Sequence, residues 1–215
     1  MLTRDQIQEH LYSAVISDAL DADGFRDQVL SVSLLPMTGG LCLFGRCRTT
    51  EWEDIDFEDP RPYELELKAV DECEEGDVLI AAAGGSRRSG IWGELLSTAA
   101  RNRGCVGALV DGAVRDVDKM RSMDFTVFAA GLCPRDSLHR QRVIAVDTPV
   151  VIGGVTIHRG DFIFADEDGT VVVPEAEMER ILGAAWEKVH AENAVRDDIR
   201  SGMSATEVFA KHGVL

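Results

Sequence analysis

Two short apolar runs with an amphipathic helix between them constrain the fold of this chain more than any other feature. The runs are Asp77–Ala83 and Cys105–Val110, and each is nearly continuous in apolar side chains, which is typical of a strand covered on both faces. Between them, apolar residues recur at helical spacing from Trp92 to Ala100, and Gly104 stands where a helix C-cap is expected. This strand–helix–strand order predicts an α/β fold with parallel strand pairing.

The regions before and after this unit predict further helices and a second half that is rich in strands. Residues 4–20 carry apolar side chains at helical spacing, which predicts one amphipathic helix. After Pro134, short strand-like runs crowd together, and a long helix is predicted from Pro174 to about Arg200. Because the chain shows no internal repeat or linker, we expect residues 1–215 to form one domain.

Charge and cysteine content exclude several classes of partner and site. The formal net charge of −16 argues against binding to nucleic acid or to an anionic membrane. The five cysteines are odd in number and none lies in a C-x-x-C pair, which argues against a disulfide framework and a zinc ribbon. No run reaches the length of a membrane span, and the first residues lack the apolar core of a signal peptide. We therefore expect a cytoplasmic protein.

A glycine-rich stretch, Gly84–Gly90, is predicted to be a loop between the first apolar run and the helix. The exposed backbone N–H groups of a helix N-terminus suit an anion. The stretch lacks the G-K-[ST] ending of a phosphate-binding loop, so a carboxylate is a better guest than a nucleotide. Glu94 lies in the first turn of the helix, where the helix dipole would stabilise an acidic side chain. Each feature alone also fits a purely structural role.

The adjacent pair Arg115-Asp116 follows the second apolar run and a predicted turn at Asp111-Gly112. In open α/β sheets, ligands bind beyond the carboxyl ends of the strands. Aspartate is a hard oxygen ligand for a divalent metal, and arginine has a planar set of donors that matches a carboxylate or an enolate oxygen. The pair could also be an ordinary surface ion pair. Its position favours a site for a metal-bound oxo acid.

Three blocks of this sequence resemble the RraA-like family. Glu94 is separated from Arg115-Asp116 by twenty residues, which is similar to the family's Asp/Glu-x20-Arg-Asp motif. Residues 17–20 resemble the N-terminal family motif, and residues 154–174 resemble the C-terminal one. The family includes 4-hydroxy-4-methyl-2-oxoglutarate aldolases and the regulator of ribonuclease activity A. The resemblance implies a layered, swivelling-type α/β fold with a β-rich C-terminal half and a long C-terminal helix.

The resemblance also implies a role for each residue of the site. Asp116 would be a ligand of Mg²⁺ or Mn²⁺, and Glu94 would contact the metal through water and assist proton transfer. Arg115 would bind the 2-oxo acid and stabilise the enolate oxygen. The helix N-terminus that follows Gly93 would receive the substrate carboxylate, through the backbone amides of Leu95 and Leu96. The family often has Asp where this chain has Glu94, and the longer side chain could alter substrate preference.

Family members associate as trimers or as dimers of trimers, which implies a homotrimer or a homohexamer here. A C-terminal glutamate of one subunit reaches the metal site of its neighbour through water. Glu192 matches that glutamate, and Glu187 is the alternative.

The function that these observations favour is a metal-dependent class II-type lyase. It would cleave a 4-hydroxy-2-oxo acid to pyruvate by a retro-aldol reaction, decarboxylate oxaloacetate, or do both. The alternative is a non-enzymatic regulator that binds and inhibits a ribonuclease. Because a pure binding protein does not need the acid, the Arg-Asp pair and the glycine-rich stretch together, the enzyme is favoured. A sugar-acid substrate, with Arg87 and Arg88 binding an additional anionic group, is a third possibility.

Overall fold

The computed structural model describes residues 2–123 and 125–213. The helices are α1 (Arg4–His10), α2 (Ser13–Ala22), α3 (Glu64–Asp71), α4 (Glu94–Asn102), α5 (Val117–Arg121), α6 (Met178–Arg200) and α7 (Ala205–His212), with a 3₁₀ turn at Glu175–Glu177. The strands are β1 (Leu35–Pro36), β2 (Leu43–Asp54), β3 (Asp77–Trp92), β4 (Gly107–Val114), β5 (Thr126–Leu132), β6 (Gln141–Val146), β7 (Val150–Ile152), β8 (Val155–Ile157), β9 (Phe162–Ala165) and β10 (Thr170–Val173).

Eight of these strands form one mixed sheet with the order β1-β5-β4-β3-β2-β9-β10, and β6 also pairs with β2. The pairs β2–β3, β3–β4 and β4–β5 are parallel, so the carboxyl ends of these four strands share one edge of the sheet. The β9 and β6 strands run antiparallel to successive parts of β2, and β7 and β8 form a separate hairpin. The predicted α/β fold, with parallel pairing at its centre and a β-rich second half, is confirmed.

The continuous apolar runs arise because both faces of the central sheet are buried. Leu79 and Ala81 of β3 pack with α3, α4 and α5, whereas Val78 and Ile80 pack on the opposite face together with the β7–β8 hairpin. Side chains of a strand alternate between faces, so a strand covered on both faces needs apolar residues at every position. A third cluster joins α1, α2 and α6 to β9 and β10.

The prediction of one N-terminal helix over residues 4–20 is wrong in one respect, because the structure has two helices there. Leu11 is buried with extended backbone and ends α1. The backbone N–H and the hydroxyl of Ser13 each donate to the carboxylate of Asp166 at 2.7 Å. This distant carboxylate caps the start of α2, and a local apolar pattern cannot reveal such a cap.

The predicted loop at Gly84–Gly90 and the predicted turn at Asp111-Gly112 are also wrong. The β3 strand continues through the glycines to Trp92, and its pairing with β4 resumes after register shifts. Gly84 and Gly85 adopt positive φ angles of 58° and 73°, which glycine tolerates and which allow the strand to bulge. Burial raises the pKa of the Asp111 carboxyl group, and the nearby backbone amides of Gly85 and Gly84 oppose that effect. The Asp111 side chain therefore lies beside the bulge, within the continuous strand β4.

The long C-terminal helix predicted to about Arg200 is confirmed as α6, and the side chain of Ser204 caps α7. Within residues 2–123 and 125–213, no helix combines the length and apolar character needed to cross a membrane.

Candidate active site

The carboxyl ends of three parallel strands bring the predicted site residues together. Arg115 and Asp116 follow β4 directly, and Gly93 and Glu94 join β3 to α4. The backbone N–H of Arg115 donates to the carbonyl of Trp92 at 2.9 Å, so the β3–β4 pairing extends into the site. A cavity of about 280 Å³ opens here, and its lining is Val114, Arg115, Asp116, Val117, Leu132, Cys133 and Pro134.

Two glycines allow the close approach of β3 to the Arg-Asp pair. A Cβ atom on Gly93 would lie 2.8 Å from Oδ2 of Asp116 and 3.1 Å from Cγ of Arg115. A Cβ atom on Gly90 would lie 2.9 Å from Cβ of Arg115 and closer still to the carbonyl oxygen of Cys133. Real Cβ contacts are not this short, so glycine at both positions allows the start of α4 to meet Asp116.

Asp116 stands in a backbone conformation that is uncommon for residues other than glycine. Its φ is 56° and its ψ is 28°, in the left-handed region that aspartate tolerates better than most residues. Its side chain is 41% exposed, and Oδ2 lies 3.9 Å from Nε of Arg115. Such strain clusters at functional sites. The conformation leaves the carboxylate at the cavity with both a charged neighbour and access to solvent.

Glu94 is the first residue of α4, as predicted, and its side chain is partly buried. Its Oε1 accepts a hydrogen bond from the Thr98 hydroxyl at 3.2 Å, one turn further along the helix. Leu95 is 76% exposed, whereas Leu96 packs against the core. The first N–H groups of a helix have no partner within it, so the amides of residues 94–96 are available to an anion.

The other predicted residues lie apart from this cavity. Glu192 in α6 accepts a hydrogen bond from the Tyr12 hydroxyl of its own chain at 2.9 Å, and Glu187 is exposed on the same helix. The proposed contact of either glutamate with a neighbouring subunit stays a prediction. Arg88 forms an ion pair with Asp56, and Arg87 donates to the carbonyl of Ala130. The role of both arginines in binding an additional anion also stays a prediction.

Sequence reasoning missed a carboxylate that contacts Arg115. Oδ2 of Asp136 lies 2.7 Å from Nη2 of Arg115. Oδ1 of Asp136 accepts hydrogen bonds from the Tyr63 hydroxyl and the Leu138 N–H, both at 2.7 Å. Tyr63 and Asp136 are 73 residues apart, and neither belongs to a motif that would have indicated the contact.

Glu66 is a second missed acid, and it is only 7% exposed. Burial, followed by the nearby negative charge of Asp136, raises its pKa from 4.5 to about 8, against an opposing effect of Arg115. Glu66 is therefore mainly protonated at neutral pH. It also lines a second cavity, of about 230 Å³, together with Tyr63 and Arg142.

Replacing Glu66 by Gln is expected to make the protein more stable than wild type at high pH. A carboxyl group with a raised pKa in the folded state binds its proton more tightly there, so stability is lost as the pH rises from about 4.5 to about 8. The variant avoids this loss, which corresponds to roughly 2 to 5 kcal/mol. Denaturant unfolding at pH 5 and pH 9 measures it, with Glu64→Gln on the exposed face of α3 as the control. An equal effect of Glu66→Gln at both pH values would contradict the expectation.

The residues at the cavity suit a divalent metal that keeps part of its water shell. Within the described part of the chain, no group of three or more His, Cys, Asp or Glu side chains could hold a metal ion. Mg²⁺ is commonly held by one or two carboxylates and completes its coordination with water and substrate oxygens. Asp116 lines the cavity, and Glu94 follows Gly93 at the start of α4; together they would offer such a donor set, with Gly93 leaving space beside the Asp116 carboxylate.

Comparisons with known proteins place this chain among a group of similar sequences. The family described as RraA-like (Aldolase/RraA) matches residues 13–172. Protein DlpA of Legionella pneumophila is 30% identical over 195 residues, which cover 88% of this chain and 30% of that protein. The chain thus spans under a third of that relative. A Thermus thermophilus protein named 4-hydroxy-4-methyl-2-oxoglutarate aldolase is 36% identical over 146 residues, 66% of this chain and 84% of its own length.

A solved structure shows the same fold. It is Streptomyces coelicolor RraAS2, described as an unusual member of the RNase ES inhibitor RraA protein family. It superposes with a TM-score of 0.77 at 30% sequence identity, over 86% of this chain and 91% of that chain.

Proposed function

The chain belongs to the RraA-like family, and we propose that it is a divalent-metal-dependent lyase that releases pyruvate from a small 2-oxo acid. The reaction would be retro-aldol cleavage of a substrate of the 4-hydroxy-4-methyl-2-oxoglutarate type, decarboxylation of oxaloacetate, or both. One observation carries the proposal: Arg115, Asp116 and the N-terminus of α4 with Glu94 meet where three parallel strands end. The name of the Thermus thermophilus relative supports the same chemistry.

Asp116 would hold Mg²⁺ or Mn²⁺, with Glu94 contributing through water. In a homotrimer or homohexamer, Glu192 or Glu187 of a neighbouring subunit would also contribute through water. The metal would supply a Lewis acid for the C1 carboxylate and the C2 oxygen of the substrate. These ligands are oxygen atoms, which Mg²⁺ and Mn²⁺ prefer.

The remaining chemistry belongs to side chains and amides of this chain. The N-terminus of α4, through the amides of Leu95 and Leu96, would bind the substrate carboxylate. Both reactions break a bond to C3 and leave negative charge on the C2 oxygen, where the Arg115 guanidinium supplies a fixed positive charge. Glu94 would accept the proton of the C4 hydroxyl during retro-aldol cleavage, because it is the one acid at the start of this helix.

A regulator that binds and inhibits a ribonuclease is the second candidate, because RraAS2 is described as a member of an RNase ES inhibitor family. Such a role would act through the protein surface and would not depend on Asp116 or Glu94. Substitution at these residues therefore separates the two functions.

The test is release of pyruvate from oxaloacetate and from 4-hydroxy-4-methyl-2-oxoglutarate. We expect turnover with Mg²⁺ or Mn²⁺, loss of turnover with excess chelator, and recovery when the metal is restored. Absence of turnover of both compounds by folded, metal-supplied protein would reject the proposal for these substrates. Sugar-acid derivatives and inhibition of a ribonuclease would then be assayed in parallel.

A further inference from the structure

The guanidinium of Arg115 is held by a carboxylate that lies outside the Asp/Glu-x20-Arg-Asp motif. We propose that Asp136, itself held by Tyr63, is a positioning residue that orients Arg115 for the reacting oxygen of the substrate. The expected effect of Asp136 on turnover rests on the proposed function. The contact itself rests on the geometry alone.

Three donors surround the Asp136 carboxylate, and each comes from a different segment of the chain. Nη2 of Arg115, after β4, lies 2.7 Å from Oδ2. The Tyr63 hydroxyl, before α3, and the Leu138 N–H, after β5, each donate to Oδ1 at 2.7 Å. With both oxygens engaged, the carboxylate has a defined orientation. Arg115 is therefore restrained relative to α3 as well as to its own strand.

The charges of the neighbouring groups favour this ion pair. Burial acts to raise the pKa of Asp136, but the bonds from Leu138 and Tyr63 and the charge of Arg115 outweigh it and hold the pKa below its ordinary value. Burial and the hydrogen bond to Asp136 raise the pKa of Tyr63 to about 12, so its hydroxyl remains a donor. Glu66, which is mainly protonated at neutral pH, does not compete for Arg115 as a second anion.

The backbone around this network is also specialised. Tyr63 has a φ of 66°, a left-handed conformation that is costly for an aromatic residue and that precedes the first turn of α3. The carbonyl of Arg135, next to Asp136, accepts the N–H of Gly90 at 2.9 Å. The strand that carries Gly90 leads into Glu94, so the network ties the Asp136 segment to both halves of the site.

An arginine with one nitrogen anchored keeps its other donors for the substrate. Nη2 contacts Asp136, which leaves Nε and Nη1 for a carboxylate or for the C2 oxygen. Because Asp136 already restrains the Arg115 side chain, that side chain has less conformational freedom to lose when negative charge develops on the substrate oxygen. We therefore expect the ion pair to affect kcat more than KM. Loss of the anchor is expected to lower kcat about 10- to 100-fold.

The test compares Asp136→Asn and Tyr63→Phe with Asp147→Asn as the matched control. Asp147 is likewise half-buried and contacts two arginines, Arg48 at 2.9 Å and Arg159 at 2.7 Å, away from the cavity. We expect a fall in kcat of about 10- to 100-fold for Asp136→Asn, a smaller fall for Tyr63→Phe, and a change below about 3-fold for Asp147→Asn. Thermal unfolding of each variant measures the cost to the fold.

A second readout reports on Arg115 without requiring turnover. The ¹⁵N-labelled Arg115 side chain, assigned by loss of its Nε–H signal in Arg115→Lys, is expected to be ordered in wild type. In Asp136→Asn the Arg115 side chain should become mobile, while the Arg48 signal stays unchanged. A general loss of structure would change both signals.

The two readouts together decide the inference. An ordered Arg115 signal in Asp136→Asn, or a mobile one with wild-type kcat, would overturn it. If wild type shows no turnover but the Arg115 signal loses order selectively in Asp136→Asn, the anchoring holds and the proposed function fails.

Discussion

Asp116→Asn is expected to abolish metal-dependent pyruvate release, with a fall in kcat/KM on the order of 100- to 1,000-fold. The substitution keeps the size of the side chain, and asparagine tolerates the left-handed backbone that Asp116 adopts, with φ at 56°. What it removes is the negative charge at the cavity beside Arg115. A neutral amide is a far weaker ligand for Mg²⁺ than a carboxylate, so the loss should appear in metal affinity as well as in turnover.

Two measurements separate loss of metal from loss of fold. Titration calorimetry with Mg²⁺ gives the affinity, and the rise in Tm on addition of Mg²⁺ should shrink in the variant, because a ligand stabilises only the state that binds it. Asp118→Asn is the control, since Asp118 is exposed on α5 only two residues away and has no proposed role. Turnover by Asp116→Asn within about 3-fold of wild type would remove Asp116 from the reaction.

Gly90→Ala is expected to impair both the fold and the site. The added methyl group would lie 2.9 Å from Cβ of Arg115 and closer still to the carbonyl oxygen of Cys133. Because one of these neighbours is backbone, a side-chain rotation cannot relieve the overlap. Forcing a methyl group into such a site costs about 1 to 3 kcal/mol. The shift should also displace Arg115, and a misplacement of about 1 Å can lower kcat/KM about 100-fold.

Denaturant unfolding and steady-state kinetics measure the two effects of Gly90→Ala separately. Gly183→Ala in α6 is the matched control, because its Cβ would meet no heavy atom within 4 Å. A glycine inside a helix is less favourable than alanine, so this control should be more stable by about 0.5 to 1 kcal/mol, with unchanged activity. If Gly90→Ala is as stable and as active as wild type, the close packing of β3 against Arg115 is not required.

Much of the architecture follows from local patterns. The runs Asp77–Ala83 and Cys105–Val110 are apolar at successive positions because both faces of β3 and β4 are covered, and this predicted buried parallel strands correctly. The capping residues Thr3 and Ser204 also mark the starts of α1 and α7, because a cap bonds to amides only a few residues away. Such signals lie within one turn or one strand and can be recognised without knowing the fold.

The central part of the site was predictable for a related reason. Glu94 and the pair Arg115-Asp116 follow neighbouring parallel strands, and parallel neighbours end at the same edge of a sheet. The structure places the start of α4 against Asp116, in agreement with the motif spacing. The catalytic roles of these residues remain predictions, and Asp116→Asn tests the one proposed for Asp116.

The glycine-rich stretch shows where local patterns fail. Glycine and serine between two apolar segments indicate a loop, yet Gly84–Gly90 continues β3 because its pairing with β4 resumes after register shifts. The break between α1 and α2 has a similar origin, since Asp166 caps Ser13 from far along the chain. In both cases a contact with residues distant in sequence overrides the local pattern.

By itself, the sequence determined where the buried central strands and the long C-terminal helix lie, that the central strands are parallel, and that an acid and an Arg-Asp pair lie at their ends. Periodicity and capping act over a few residues, and the strand–helix–strand order indicates the parallel pairing. Only the tertiary structure decided that Asp136 and Tyr63 hold Arg115, and that Glu66 is buried beside them. Those contacts join residues far apart in sequence, and their strength depends on burial and on charge separation, which exist only once the chain has folded.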